Sequence, residues 1–154
     1  MRKQLLAATA LAAALVVPSV AAAKGPESAS VSGPGLERSV AVVGQGEMGN
    51  GTPLGALVDS GGFFAQMFGQ VPDPTLRVRP AGRLGAHYIV TYVVPGPNGV
   101  RSRVVQHVYP FAKPGPLTYM KPGQHFWDQT THGGWYRGSA ALRRVLVQAG
   151  VHQG

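Results

Sequence analysis

Residues 88–109 constrain the fold more than any other part of this chain, because they spell a β-hairpin. Residues 88–94 (YIVTYVV) are wholly β-branched or aromatic, the side chains that suit a pleated, half-buried surface. Pro95-Gly96-Pro97-Asn98-Gly99 follows, and Asn-Gly tolerates the positive φ that a tight reversal demands. Residues 100–109 return as a second strand. Val100, Ser102, Val104, Gln106 and Val108 fall on one face, and Arg101, Arg103, Val105 and His107 on the other, wetter one, since successive strand side chains point to opposite sides. A chain built around this hairpin forms an antiparallel sheet and needs something apolar to cover one face.

The cover is legible on either side of the hairpin. Thr52-Pro53 reads as an N-cap followed by proline in the first helical turn. Leu54, Leu57 and Val58 continue on one face, Gly61-Gly62 interrupts, and Phe63, Phe64, Met67 and Phe68 form a second apolar set ending at Gly69. This predicts one broken helix or two short ones. Ser139 is expected to cap a last helix over 140–149, with Leu142, Val145, Leu146 and Ala149 at i, i+3, i+4 and i+7 and Gly150 as its stop. Residues 39–43 (SVAVV) and 117–120 predict short strands, and 71–85 a proline-containing connector. The sum is an α+β fold, a small single domain with an antiparallel hairpin-based sheet, a broken helix and a C-terminal helix.

The amino terminus reads as an address. Arg2 and Lys3 precede 13 uncharged residues (5–17, LLAATALAAALVV), and Ala21-Ala22-Ala23 supplies the small-residue pattern of a cleavage site. A membrane-spanning helix needs about 20 apolar residues, so the segment is expected to be a signal peptide over 1–23, cut between Ala23 and Lys24. Residues 24–35 (KGPESASVSGPG) are expected to form a flexible arm, with room for a short edge strand at 29–32, and 36–154 the single α+β domain. The product is expected to be secreted, extracellular or in the cell-envelope space, and monomeric, with no transmembrane anchor.

Cleavage of the 154-residue chain at that point leaves 131 residues without a cysteine. A chain of that length buries enough surface to fold without cross-links, and an uncrosslinked exported domain points to a bacterium. The net charge is +8, and +6 once Arg2 and Lys3 are removed. The basic residues are scattered, with no run of five like charges, so they form no basic tail. They favour an anionic cell-wall polymer, or another secreted protein, as partner. Genomic nucleic acid is excluded by location, and the aromatics do not interleave with the cations as a stacking platform requires.

Several motifs tempt and fail. Gly44-Gln45-Gly46-Glu47-Met48-Gly49 matches G-x-G-x-x-G after a strand, but no long helix opens at its last glycine and no acidic residue follows at the required distance. Asp59-Ser60-Gly61-Gly62 has the look of a serine-protease nucleophile segment, yet every histidine lies after Ser60, the wrong chain order for that triad. Leu57-Val58-Asp59-Ser60-Gly61 also resembles the apolar-apolar-Asp-Ser-Gly signature of aspartic proteases. There two carboxylates share a proton, but this stretch reads as helix rather than as a strand-to-loop turn.

The densest polar and aromatic stretch is 124–137 (QHFWDQTTHGGWYR). His125, Trp127, Asp128, His132, Trp135, Tyr136 and Arg137 are the candidate ligand-binding residues: indole and phenol rings stack on sugars, while Asp and Arg bond hydroxyls. His125, Asp128 and His132 form a candidate hydrolytic group. The competing reading is a loop whose aromatics plug the core edge. No known metal-ligand spacing appears, and no cofactor or metal is expected.

Gly25-Pro26-Glu27-Ser28, Ser32-Gly33-Pro34-Gly35-Leu36, the 88–94 strand and Thr131-His132-Gly133-Gly134-Trp135-Tyr136-Arg137 together resemble uncharacterised secreted proteins of high-GC Gram-positive bacteria. That resemblance covers most of the mature chain and implies no activity. The expectation is a secreted, non-enzymatic binding protein associated with the cell envelope. The alternative is a secreted hydrolase using Asp59-Ser60-Gly61 or the His125/Asp128/His132 group.

Overall fold

The computed structural model describes residues 25–44 and 51–153. The expected signal peptide, its cleavage point at Ala23 and Lys24, and most of the glycine-rich 44–49 motif lie outside the described residues.

The hairpin forms as its sequence dictates. β3 (Tyr88–Pro95) pairs antiparallel with β4 (Arg101–Tyr109), Tyr88 opposite Val108 and Pro95 opposite Arg101. A single 3-10 turn at Pro97–Gly99 joins them, with Asn98 at φ 57° and Gly99 at φ 72°. Around this pair lies a six-stranded antiparallel sheet. It also holds β1 (Ser28–Ser32), β2 (Val40–Val42), β5 (Leu117–Met120) and β8 (Gly134–Arg137), in the order β2-β1-β3-β4-β5-β8. A two-stranded hairpin, β6 (His125–Phe126) and β7 (Gln129–Thr130), stands beside it.

Two of these strands correct the sequence reading. The segment expected as a flexible arm over 24–35 contains β1, an interior strand bonded to β2 on one side and β3 on the other. Ala29 and Val31 are buried, and Tyr88 donates its hydroxyl to the carbonyl of Pro34 at 3.1 Å. The Ser-rich alternation misled: Ser28, Ser30 and Ser32 face away from the core, and two small apolar residues suffice on the inner side. Likewise 124–137 is not one loop but holds β6, β7 and β8 joined by short turns. Its end is β8, which pairs with β5, Trp135 opposite Tyr119 and Tyr136 opposite Thr118.

α1 (Pro53–Ser60), α2 (Phe63–Phe68) and α3 (Ala140–Gln148) are the helices. Thr52 Oγ1 accepts the N–H of Gly55 at 3.1 Å, capping α1. Ser139 occupies the N-cap position of α3 but its hydroxyl makes no capping bond. Leu54, Leu57, Val58, Phe63 and Met67 of the broken helix and Leu142, Val145 and Leu146 of α3 join Tyr88, Val90, Tyr92, Val104, Val108 and Met120 of the sheet in one core. Gly62 has φ 70°, and a Cβ there would overlap the ring of Tyr136, so only glycine permits both the break and the ring that covers it.

A closed polar network pins that break to the sheet. Gln106 donates to the Gly61 carbonyl at 2.9 Å and to Gln66 Oε1 at 2.6 Å. Gln66 donates to Thr118 Oγ1 at 3.2 Å and to the Gly134 carbonyl at 2.8 Å. Thr118 donates to Gly61 O at 2.9 Å, and Tyr92 to Gln106 Oε1 at 2.9 Å. Gln66, Gln106 and Thr118 are all fully buried, and among the described residues no buried side-chain polar atom lacks a partner. The satisfied network makes these core positions tolerable.

Candidate ligand-binding face

The helices fill one face of the sheet, so ligand chemistry must be sought on the other face and at the edges. On the uncovered face, the alternation of β4, β5 and β8 aligns His107, Tyr109, Tyr119 and Trp135, with His87 just ahead of β3. Their rings form a closed ladder. Centroids lie 5.0 Å apart for His87–His107, 5.0 Å for His87–Tyr109, 6.0 Å for His107–Tyr119, 4.9 Å for Tyr119–Trp135 and 5.8 Å for Tyr109–Trp135. Cross-strand rings at such spacings shield one another, yet His107, Tyr109, Tyr119 and Trp135 remain half-buried and His87 exposed. His87 Nε2 and His107 Nδ1 are 2.8 Å apart. Burial, and then the neighbouring His87, hold His107 below the ordinary imidazole value. Burial raises Tyr109, with Arg79 acting in the opposite direction.

The ladder runs into a cleft of about 330 Å³ whose walls include Tyr119, Asp73, Thr75, Arg77 and His132. The 70–86 connector reaches it by bridging to β8: Leu76 and Trp135 exchange backbone hydrogen bonds at 2.8 Å each way. Asp73 Oδ1 accepts the Thr75 N–H and hydroxyl, both at 2.8 Å, while Oδ2 meets His132 Nε2 at 2.8 Å. These bonds, the backbone one first, hold the Asp73 carboxyl below its ordinary value. Thr75 Oγ1 lies 3.3 Å from the same Nε2. A nucleophile relay needs carboxylate and hydroxyl on opposite ring nitrogens. Here both address one nitrogen, so the group suits binding of hydroxyls rather than activation of Thr75.

The seven sequence candidates do not meet at one place. Trp135 and His132 belong to the ladder and its cleft. Tyr136 points to the helix face, over Gly62, and Arg137, exposed at the end of β8, lines a cleft with Tyr136 and Asp59. Trp127, at φ 50°, donates its indole N–H to the Pro95 carbonyl at 3.1 Å and packs against Phe68 and Phe126. His125 and Asp128 are exposed on the small β6–β7 hairpin, and His132 takes Asp73 rather than Asp128 as its carboxylate. Among the described residues no three His, Asp or Glu side chains form a metal-holding group.

Asp59 stands on α1, not on a strand-to-loop turn, which removes the geometry of the aspartic-protease signature. Together with Tyr136 it lines two adjoining clefts of about 400 and 150 Å³, and no second carboxylate lines either. Ser60 donates its hydroxyl to its own helix, to Ala56 O at 2.5 Å.

His87, His107, Tyr109, Tyr119, Asp73 and Thr75 were absent from the sequence candidates. The signal for the ladder was present in the strand alternation, because once β4 pairs with β3 and β5 its outward residues become neighbours. The Asp73–Thr75–His132 group had no such signal, since an irregular connector brings it together. No helix among the described residues is long and apolar enough to cross a membrane. No family model, curated protein or solved structure matches the chain.

Proposed function

We propose that this chain is a secreted, non-enzymatic binding protein of the cell envelope, and that it holds an anionic cell-wall polymer on its uncovered sheet face. The observation that carries the reading is the aromatic ladder running without interruption, through Tyr119, into the Asp73–Thr75–His132 cleft. Half-buried rings offer apolar surface to sugar or polyol carbons. The cleft offers donors and acceptors to hydroxyls, and Arg77 on its wall and Arg79 beside Tyr109 offer positive charge. A net charge of +6 once Arg2 and Lys3 are removed with the signal peptide draws an anionic polymer toward it. The signal-like amino terminus supplies the route to that location. The hydrolase alternative draws no comparable support: among the described residues Asp59 is the one carboxylate lining its two clefts and Asp128 lies exposed on the β6–β7 hairpin, whereas acid–base hydrolysis of the glycosidase type uses two placed carboxylates.

The test is co-sedimentation with Gram-positive cell walls, intact and stripped of anionic polymer, across a salt series. Binding is expected to fade with salt and with stripping, and to weaken when Tyr119 or Trp135 is changed to Ala while Trp127→Phe leaves it intact. Failure to bind intact walls at low salt would overturn the proposal.

A further inference from the structure

We propose that His87 and His107 form a binding site for one divalent transition-metal ion of the Zn2+ or Cu2+ class, coordinated by His87 Nε2 and His107 Nδ1. The inference does not rest on the envelope reading. Its first support is distance. The two nitrogens face each other at 2.8 Å, and two imidazole nitrogens on one tetrahedral zinc, each about 2.0–2.1 Å from it, lie about 3.3 Å apart. An opening of about half an ångström, with a turn of the rings that brings both lone pairs to the ion, converts the pair into a chelate, and His87, exposed and ahead of β3, has the room to make it.

The second support is that the rings are already oriented. His107 sits in mid-strand opposite Ile89 and Tyr119, and its ring lies against Tyr119. The ring of His87 stacks on Tyr109 at 5.0 Å with 19° between planes.

The third support is protonation. A hydrogen bond between two imidazoles requires that at least one be neutral, and neutral imidazole is the form that binds metal. When both are neutral, one ring donates its N–H to the other. On coordination that proton passes through solvent to the outer nitrogen of its own ring, and both inner nitrogens then donate lone pairs with no net proton release.

Two nitrogens leave the remaining coordination positions to water or to an oxygen of a bound molecule, the arrangement of an open site. Imidazole selects Zn2+, Cu2+ and Ni2+ over Mg2+ and Ca2+.

The untagged, chelator-stripped full chain is to be titrated calorimetrically with ZnCl2 and CuCl2, with MgCl2 as the hard-cation control. One ion per chain is expected for Zn2+ or Cu2+ and none for Mg2+. His87→Ala is expected to weaken binding by at least about tenfold, the lower end of what loss of even an outer-sphere partner costs a metal site, and His107→Gln to do the same. His125→Ala and His132→Ala should leave it unchanged. His87 is exposed, so its variant keeps the fold, which an unaltered urea midpoint verifies. The proposal fails if neither ion binds saturably, if His87→Ala binds as the parent does, or if His125→Ala or His132→Ala costs as much.

Discussion

Asp73 shows most directly how neighbours change a residue's chemistry. Its carboxylate accepts two hydrogen bonds from Thr75 and one contact from His132, all of which favour the ionised form. A carboxyl whose folded pKa lies below its ordinary value of 3.8 stabilises the fold at pH above that value, and the stabilisation is lost as pH falls through the depressed one. Thr75→Val removes the hydroxyl donor, so the Asp73 side-chain carbon should titrate closer to 3.8 by NMR than in the parent. An unmoved titration would show that the hydroxyl bond does not hold the carboxylate. Nothing in the sequence marked this residue, because its partner His132 lies 59 positions away and the two meet only across the connector.

Among elements, the helix break, the central hairpin and the short strands at 39–43 and 117–120 were legible, whereas the interior place of β1 and the strand β8 were not. Thr52, Pro53, Gly61, Gly62 and Gly69 each act locally, on the backbone of their own turn, so composition reveals them. β1 and β8 are short, rich in Ser or Gly, and stabilised by partners distant in sequence. Gln106 lies on the buried face of β4, where alternation placed it, but its role depends on Gly61, Gln66 and Tyr92 arriving from other elements. Gln106→Leu leaves the Tyr92 hydroxyl and Gln66 Oε1 without these partners in the core. Buried orphans cost about 1–3 kcal/mol each, so urea unfolding should show a loss of roughly 2–5 kcal/mol. A loss below about 0.5 kcal/mol, the usual size for a substitution away from the core, would mean that the network does not clamp the break.

At the scale of the whole molecule, β1 decides how the sheet closes. It lies between β2 and β3, so β2 reaches the sheet only through it. Deleting residues 24–35 should therefore abolish cooperative thermal unfolding, whereas an arm lying loose on the surface would leave the transition unchanged; circular dichroism distinguishes the two. The α+β class, the hairpin, its turn, the broken helix and the apolar stripe of α3 were determined by the sequence alone, because each depends on side-chain period and turn chemistry within a few residues. The tertiary structure alone decided that β1 is interior, that Trp135 and Tyr136 serve opposite faces, and that Asp73, Thr75 and His132 share a cleft. The same holds for His87 and His107, 20 positions apart, which the hairpin register brings within hydrogen-bond distance. These are consequences of pairing between distant segments, and a local pattern records only what each segment prefers, not which neighbour it meets.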